Sequence, residues 1–362
     1  MVPTGEQDAE DRPPPLISLI IPVYNVADYL TECLDSITRQ AFENVEIIAV
    51  DGASEDASRK ILDDRCQTEP RLTVVHAGKI GPGRARNEGI KQAKGEYIWF
   101  VDGDDVVPDG SLAAIADRID AVRPDMLFID HEDIYPDGRF EPGSGHDLLG
   151  KETAECFTLA ERPWVLDLSM ASWKRIIRRE FFNSTHINFP AEYPHEDIPV
   201  SCLLLMEARR LSILNRVCYR YRKHRAGSAS DTGPSDRHFN IFHSYGLVLD
   251  QAGKRVGDSD LGEGVQRALF NRAIWHYTNI FDTGGWVTRE DRRKFFEQMY
   301  WHFVHYVPAG YRYVGGPRGV KYRLIAANAY RSYTLMGRLN GLRLKAKRGS
   351  RLARMATAKA DA

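Results

Sequence analysis

Five short apolar runs, LISLIIPV (16–23), VEIIAV (45–50), LTVVH (72–76), YIWFV (97–101) and MLFID (126–130), constrain the fold more than any other feature of the chain. Each is of strand length, rich in Val and Ile and apolar at nearly every position, the pattern of strands covered on both faces. Helix-length segments lie between them at 26–39, 54–66, 82–94 and 110–122. Leu30, Leu34 and Ile37 share one face of the first, Ser54 is placed to cap the second, and Pro82 suits the first turn of the third. Repeated strand, helix, strand units predict an α/β fold: a Rossmann-like, mostly parallel sheet flanked by helices, with right-handed crossovers.

In such a sheet the loops that leave the C-terminal strand ends gather at one edge, and ligands bind there. Here those loops are YNVADY, DGASED, HAGKIGPGRARN and DGDD, so carboxylates from two of them face arginines from a third. Three carboxylates within four positions, Asp102, Asp104 and Asp105, repel one another unless a divalent cation neutralises them or water solvates them, and both readings stand. A calcium-binding EF-hand is excluded, because the positions that need an oxygen ligand and a glycine hold Val106 and Val107. Asp109 is placed to cap the helix that follows.

In GPGRARNEG (81–89), Gly81 and Gly83 allow close backbone approach, while Arg84 and Arg86 lie in a first helical turn, where the helix dipole disfavours cations. An anion such as a diphosphate at the helix start accounts for that placement; solvent exposure or pairing with the aspartates is the alternative. A nucleotidyltransferase or dehydrogenase is a weak reading, since PVYNVADY after the first strand is no G-x-G-x-x-G turn.

Composition narrows the class further. The chain has 362 residues and 43% hydrophobic content, enough for a sizeable core in one large domain or two. No window approaches the roughly 18 to 20 apolar residues of a membrane span, and the proline-rich, acidic start (1–15) reads as a disordered leader, giving a cytoplasmic expectation. Five scattered cysteines with no CxxC pair argue against a disulfide framework and a structural zinc site. From Tyr311 onward 13 Lys or Arg face a single acid, Asp361, leaving the first 310 residues at about −13. The amphipathic basic tail, 335–362, suits the inner face of an anionic plasma membrane or packs on the acidic body. Nucleic acid is a poorer partner, because the body is acidic and no recognition motif appears.

The motifs SLIIPVYNVADYLTECLDSI, VEIIAVDGASEDAS, GPGRARNEGI and GEYIWFVDGDDVV, in this order, resemble the family 2 glycosyltransferases of GT-A fold. The likeness extends through WKRIIRREFF and HEDIPVS to about Ser230, and is similar to the glycosyltransferase-2 domain found with bacterial teichoic-acid-type polyol-phosphate polymerases. It implies a GT-A domain over 16–230, with a nucleotide half (16–131) and an acceptor half (132–230), followed by a helical region (231–334) and the tail.

On the matching positions, the resemblance places Pro22 and Tyr24 near the nucleotide base and Asp51 on the uracil ring. It sets Asp102 and Asp104 as the D-x-D pair on ribose and metal, with Asp105 joining Asp104 at a Mn²⁺ or Mg²⁺ ion. Arg86 falls near the diphosphate, Asp197 is the general base, and His195 and Glu196 are acceptor-side or cap a helix. The implied reaction moves a sugar from a nucleotide-diphospho-sugar, UDP-linked, to a hydroxyl of a saccharide, polyol-phosphate or lipid-linked acceptor. The alternative is a non-catalytic sugar-nucleotide or polymer-binding domain of a cell-wall complex. One departure bears on base recognition: the family's second aspartate after the second strand is replaced by Gly52.

Overall fold

The computed structural model describes residues 14–190, 195–225, 233–255, 262–283 and 285–339. Contacts divide the chain into two compact units, one comprising residues up to 232 together with 250–268, the other 233–249 with 269 onward.

The first unit opens with four strand–helix pairs: β1 (Ile17–Val23), α1 (Ala27–Thr38), β2 (Val45–Asp51), α2 (Ser58–Cys66), β3 (Leu72–His76), α3 (Pro82–Gln92), β4 (Tyr97–Phe100) and α4 (Ser111–Val122). Then come β5 (Met126–Ile134), β6 (Phe140–Pro142), the short α5 (His146–Leu149), β7 (Arg175–Arg178), α6 (Arg179–Thr185), α7 (Asp197–Glu207) and β8 (Leu211–Arg222). The sheet runs β3-β2-β1-β4-β7-β5-β6, with β8 added alongside β5. Pairs among β1 to β4, and β5 with β8, are parallel, whereas β7 lies antiparallel between β4 and β5. The expected fifth strand is therefore displaced one place by an inserted neighbour.

Continuous apolar character in the strands has the expected cause: Ile17, Leu19, Ile20 and Ile21 of β1 and all four residues of β4 are fully buried, because helices cover both sheet faces. Two capping expectations need correction. Helix α2 begins at Ser58, not beyond a Ser54 cap; the Ser54 hydroxyl instead accepts the Asn25 N–H at 3.1 Å, tying two edge loops together. Asp109 caps nothing, since Gly110 in left-handed conformation precedes α4 and the Asp109 carboxylate pairs with Arg39 on the surface at 2.9 Å. Pro82 does open α3, behind Gly81.

The second unit is helical: part of α8 (Asn240–Arg255), most of α9 (Gly262–Asp282), α10 (Arg292–Tyr306), α11 (Gly316–Ala326) and a helical stretch at 330–339. Its core is aromatic, with Phe242 against Tyr277 and Phe295, and Phe281 and Phe296 both against Tyr333. No described helix is long and apolar enough to cross a membrane. Most of the leader and residues 340–362 of the basic tail lie outside the described residues.

Helix α3 sits so close to β1 that a Cβ on Gly89 would lie 2.3 Å from Ile20 Cγ2. Gly89→Ala should therefore destabilise the fold by about 1–3 kcal/mol through overpacking, although alanine is the better helix former. Urea denaturation of the variant checks this.

Candidate active site at the sheet edge

The acidic loop leaves β4, whose burial on both faces fixes where the loop begins. Its three carboxylates meet three different fates. Asp102, half-buried, accepts from Arg86 Nη2 at 3.0 Å. Asp104, also half-buried, is paired with Arg225, and its carbonyl accepts from Arg222 Nε at 2.9 Å. Asp105 is turned inward and fully buried, one oxygen accepting from the Tyr219 hydroxyl at 2.6 Å and the other from the Arg222 N–H at 2.8 Å. Burial, and then the neighbouring aspartates, push the Asp104 and Asp105 pKa values up, Asp105 well above the ordinary range.

This geometry distinguishes Asp105 from Asp104, the two residues expected together as metal ligands. Both Asp105 oxygens accept from protein donors, and these bonds fasten the loop to β8. Tyr219 serves the loop twice, because its oxygen also accepts the Asp102 N–H at 3.1 Å. The ring is held in turn by stacking on Trp173, centroids 4.4 Å apart.

Arg86 reaches the site from the second turn of α3 and is buried, whereas Arg84 two residues earlier is exposed. Arg86 Nη1 donates to Glu196 at 2.8 Å while Nη2 holds Asp102, so one guanidinium joins the acidic loop after β4 to the acids at the start of α7. The alternative of pairing with aspartates is thus what this structure contains. Burial works against the charge, but Asp102, Glu196 and Asp197 outweigh it and raise the Arg86 pKa. Gly83 makes the approach possible: a Cβ there would stand 2.6 Å from the Pro190 carbonyl and 3.1 Å from Glu196 Cγ.

Asp197 begins α7, with Glu196 at the cap position and His195 just before it in left-handed backbone. Glu196 makes no capping bond and spends its carboxylate on Arg86. Burial first, then the Glu196 charge, push the Asp197 pKa up to about 7 against the opposing pull of Arg86. A carboxylate poised there is suited to taking a proton near neutral pH.

The residues expected near a nucleotide base lie along the same edge. Pro22 lies near the end of β1 and Tyr24 directly follows the strand, well exposed. Asp51 ends β2 fully buried; one oxygen accepts the Ser54 N–H at 3.0 Å, and Oδ2 has no hydrogen-bond partner among the described residues. Gly52 follows where a Cβ would press on the Ile80 carbonyl at 3.1 Å, so the loop after β3 closes over the place a second aspartate would occupy. Sequence reasoning missed His76, Tyr219, Arg222 and Arg225. The only signal for the last three was the polar, basic stretch YRYRKHR at the end of a strand-like run.

Among the described residues no group of three His, Cys, Asp or Glu side chains is arranged to hold a metal. Asp104 alone, with diphosphate oxygens completing the shell, nevertheless fits the way magnesium-like ions bind, through one or two carboxylates plus substrate phosphates.

Residues 18–185 match the family described as Glycosyl transferase family 2. Glycosyltransferase GlyG of Streptococcus pneumoniae is 32% identical over 224 residues, covering 60% of this chain and 73% of GlyG. The chain belongs to glycosyltransferase family 2. It is 30% identical over 219 residues, 58% of its length, to the uncharacterized glycosyltransferase EpsJ of Bacillus subtilis and spans 61% of that protein. The Staphylococcus aureus poly(ribitol-phosphate) beta-N-acetylglucosaminyltransferase TarS is 32% identical over 226 residues, with 60% of this chain and 38% of TarS covered. The crystal structure of S. aureus TarS 1–349 in complex with UDP-GlcNAc superimposes with TM-score 0.70 at 26% identity, covering 88% of this chain and 89% of that one. The mixed α/β architecture, with its sheet flanked by helices and a helical C-terminal region, is that of this GT-A neighbour.

Tyr219→Phe leaves the buried Asp105 oxygen without its hydroxyl donor, and stability should fall by about 1–3 kcal/mol. Urea titration measures it; an unchanged midpoint would show that the hydroxyl is not what holds the loop.

Proposed function

We propose that the protein is an inverting glycosyltransferase. It moves a sugar from a UDP-sugar to a hydroxyl of a cell-surface polymer acceptor of polyol-phosphate, saccharide or lipid-linked type. The observation that carries this reading is Arg86, whose two nitrogens tie Asp102 of the donor loop to Glu196, next to Asp197, in one buried charge network. The UDP-GlcNAc complex of TarS and the poly(ribitol-phosphate) in that protein's name support the donor and acceptor classes.

Each residue has a chemical task. The Asp51 Oδ2 has no partner among the described residues and can accept, so it favours a base that offers an N–H at that position, as the imide of uracil does, over cytosine, whose ring nitrogen there is an acceptor. Asp102 lies where a ribose hydroxyl would be held, and Arg86 beside it balances negative charge developing on the departing diphosphate. Asp104 would hold the divalent cation, Mn²⁺ or Mg²⁺, which when bound supplies Lewis-acid stabilisation of that leaving group. Asp197 takes the acceptor proton as the hydroxyl attacks the anomeric carbon, and His195 and Glu196 frame the acceptor side. A single in-line displacement with the base opposite the leaving group inverts the anomeric configuration. The exposed Leu335 and Leu339, with Arg331 and Arg338, lead into the basic tail, and we assign that tail to peripheral contact with an anionic membrane.

Asp197→Asn should lower transfer from UDP-GlcNAc to poly(ribitol phosphate) by about 10²- to 10⁴-fold, the usual worth of a general base, while UDP affinity by calorimetry stays close to wild type. Undiminished turnover would refute the role of Asp197, and a wild-type protein that binds UDP but turns nothing over would favour the binding-domain alternative. The carboxylate form is the active one and its pKa is pushed up to about 7, so kcat should fall as pH drops through that value. The limiting slope is about tenfold per pH unit. A flat profile across neutrality contradicts the assignment.

A further inference from the structure

His76 closes β3 directly opposite Asp51 in the parallel β2–β3 register, so the two side chains rise from neighbouring strands at the ligand edge. Its Nε2 is 2.9 Å from the Asp63 carboxylate of α2, and its Nδ1 is 3.7 Å from the orphaned Asp51 Oδ2. The ring is thus pinned from behind by Asp63 and stands beside a buried carboxylate oxygen that has no donor among the described residues. At 3.7 Å the Nδ1 contact is too long for a hydrogen bond, so His76 does not itself satisfy Asp51. Its side chain is 32% exposed, open enough for a ligand to reach. Nε2 faces the Asp63 carboxylate and Nδ1 faces the Asp51 carboxylate, both of them acceptors.

We infer that His76 is the specificity residue for the donor base, reading the exocyclic group next to the ring N–H that Asp51 accepts. The inference rests on the uridine-diphosphate reading above and names a second contact within it. Uracil presents N3–H flanked by the O4 carbonyl, a donor beside an acceptor, which complements Asp51 Oδ2 beside His76 Nδ1–H. Cytosine presents a bare N3 flanked by an amino group, so it meets the carboxylate with a lone pair and the imidazole with a second donor. A site built to hydrogen-bond a polar group rejects the analogue lacking it, because its own polar atoms are then left unpaired. Asp63 acts through His76 as a positioning residue, setting the ring plane so that Nδ1 stays level with Oδ2.

The test is calorimetric titration of UDP and CDP, each with Mn²⁺, into the wild-type protein and the variants His76→Ala and His76→Asn. His76→Ala should weaken UDP about tenfold, the worth of one such hydrogen bond, and leave CDP unchanged or tighter. His76→Asn, which retains an N–H donor, should recover part of the preference. Parallel weakening of UDP and CDP would reduce His76 to a packing role and overturn the inference, as would an unchanged ratio in a variant with wild-type melting temperature. A wild-type protein that shows no preference for UDP over CDP would instead sink the uridine reading, an outcome distinct from failure of the histidine.

Discussion

The buried guanidinium of Arg86 is the interaction on which the rest of the site depends. Removing a charge from water is costly unless it is paired and hydrogen-bonded, and Arg86 is paired twice, with Asp102 and with Glu196. The benefit is mutual, since Asp102 and Glu196 would otherwise stand near further acids, Asp104 and Asp197, with no fixed positive charge between them. Its position also explains an apparent contradiction in the sequence. An arginine near a helix N-terminus opposes the helix dipole, but here the side chain leaves the helix for two carboxylates that lie 16 and 110 residues away. Gly83, which lets Pro190 and Glu196 come against α3, is part of the same arrangement.

The acidic loop is held from the other side by the end of β8. Val106 and Arg220 exchange backbone hydrogen bonds, the Arg222 N–H and the Tyr219 hydroxyl take the two oxygens of Asp105, and Arg225 lies on Asp104. A loop carrying three adjacent negative charges would be mobile if only water solvated it. Fastened at Asp105 and stacked through Tyr219 on Trp173, it presents Asp102 and Asp104 at fixed places instead. Rigid support beneath reacting groups is what electrostatic catalysis requires, because donors and charges that must reorganise during reaction contribute little.

How much of this was legible in the sequence follows from what each element buries. Strands β1 to β4 announced themselves because both faces are covered, and the loops after them were therefore placed correctly at one edge. Strand β7 did not: RIIR is four residues between charged neighbours, too short for any periodicity to separate strand from helix, and its place between β4 and β5 is decided by tertiary pairing. The capping assignments for Ser54 and Asp109 failed for one reason. Each helix starts later than the sequence suggested, at Ser58 and Ser111, and a partner from a distant segment, Asn25 N–H or Arg39, takes the side chain instead. Asp104 and Asp105 are the same residue type at adjacent positions, so which one faces the site depends on Tyr219 and Arg222, more than a hundred residues later.

The carboxylates can finally be separated by where their hydrogen bonds go. Asp102 is matched by Arg86, Asp104 by Arg225 and Asp105 by Tyr219 and the Arg222 N–H, all supplied from within the protein. Asp51 differs, with one oxygen satisfied by its own loop and the other unpartnered, although the residue is as deeply buried as Asp105. A buried acceptor left without a donor costs about 1–3 kcal/mol, and a fold that could place Tyr219 on Asp105 had the means to place a donor on Asp51. The acidic loop is held by donors from within the protein, whereas on the reading proposed above the bond missing at Asp51 is one that a ligand bringing an N–H would form.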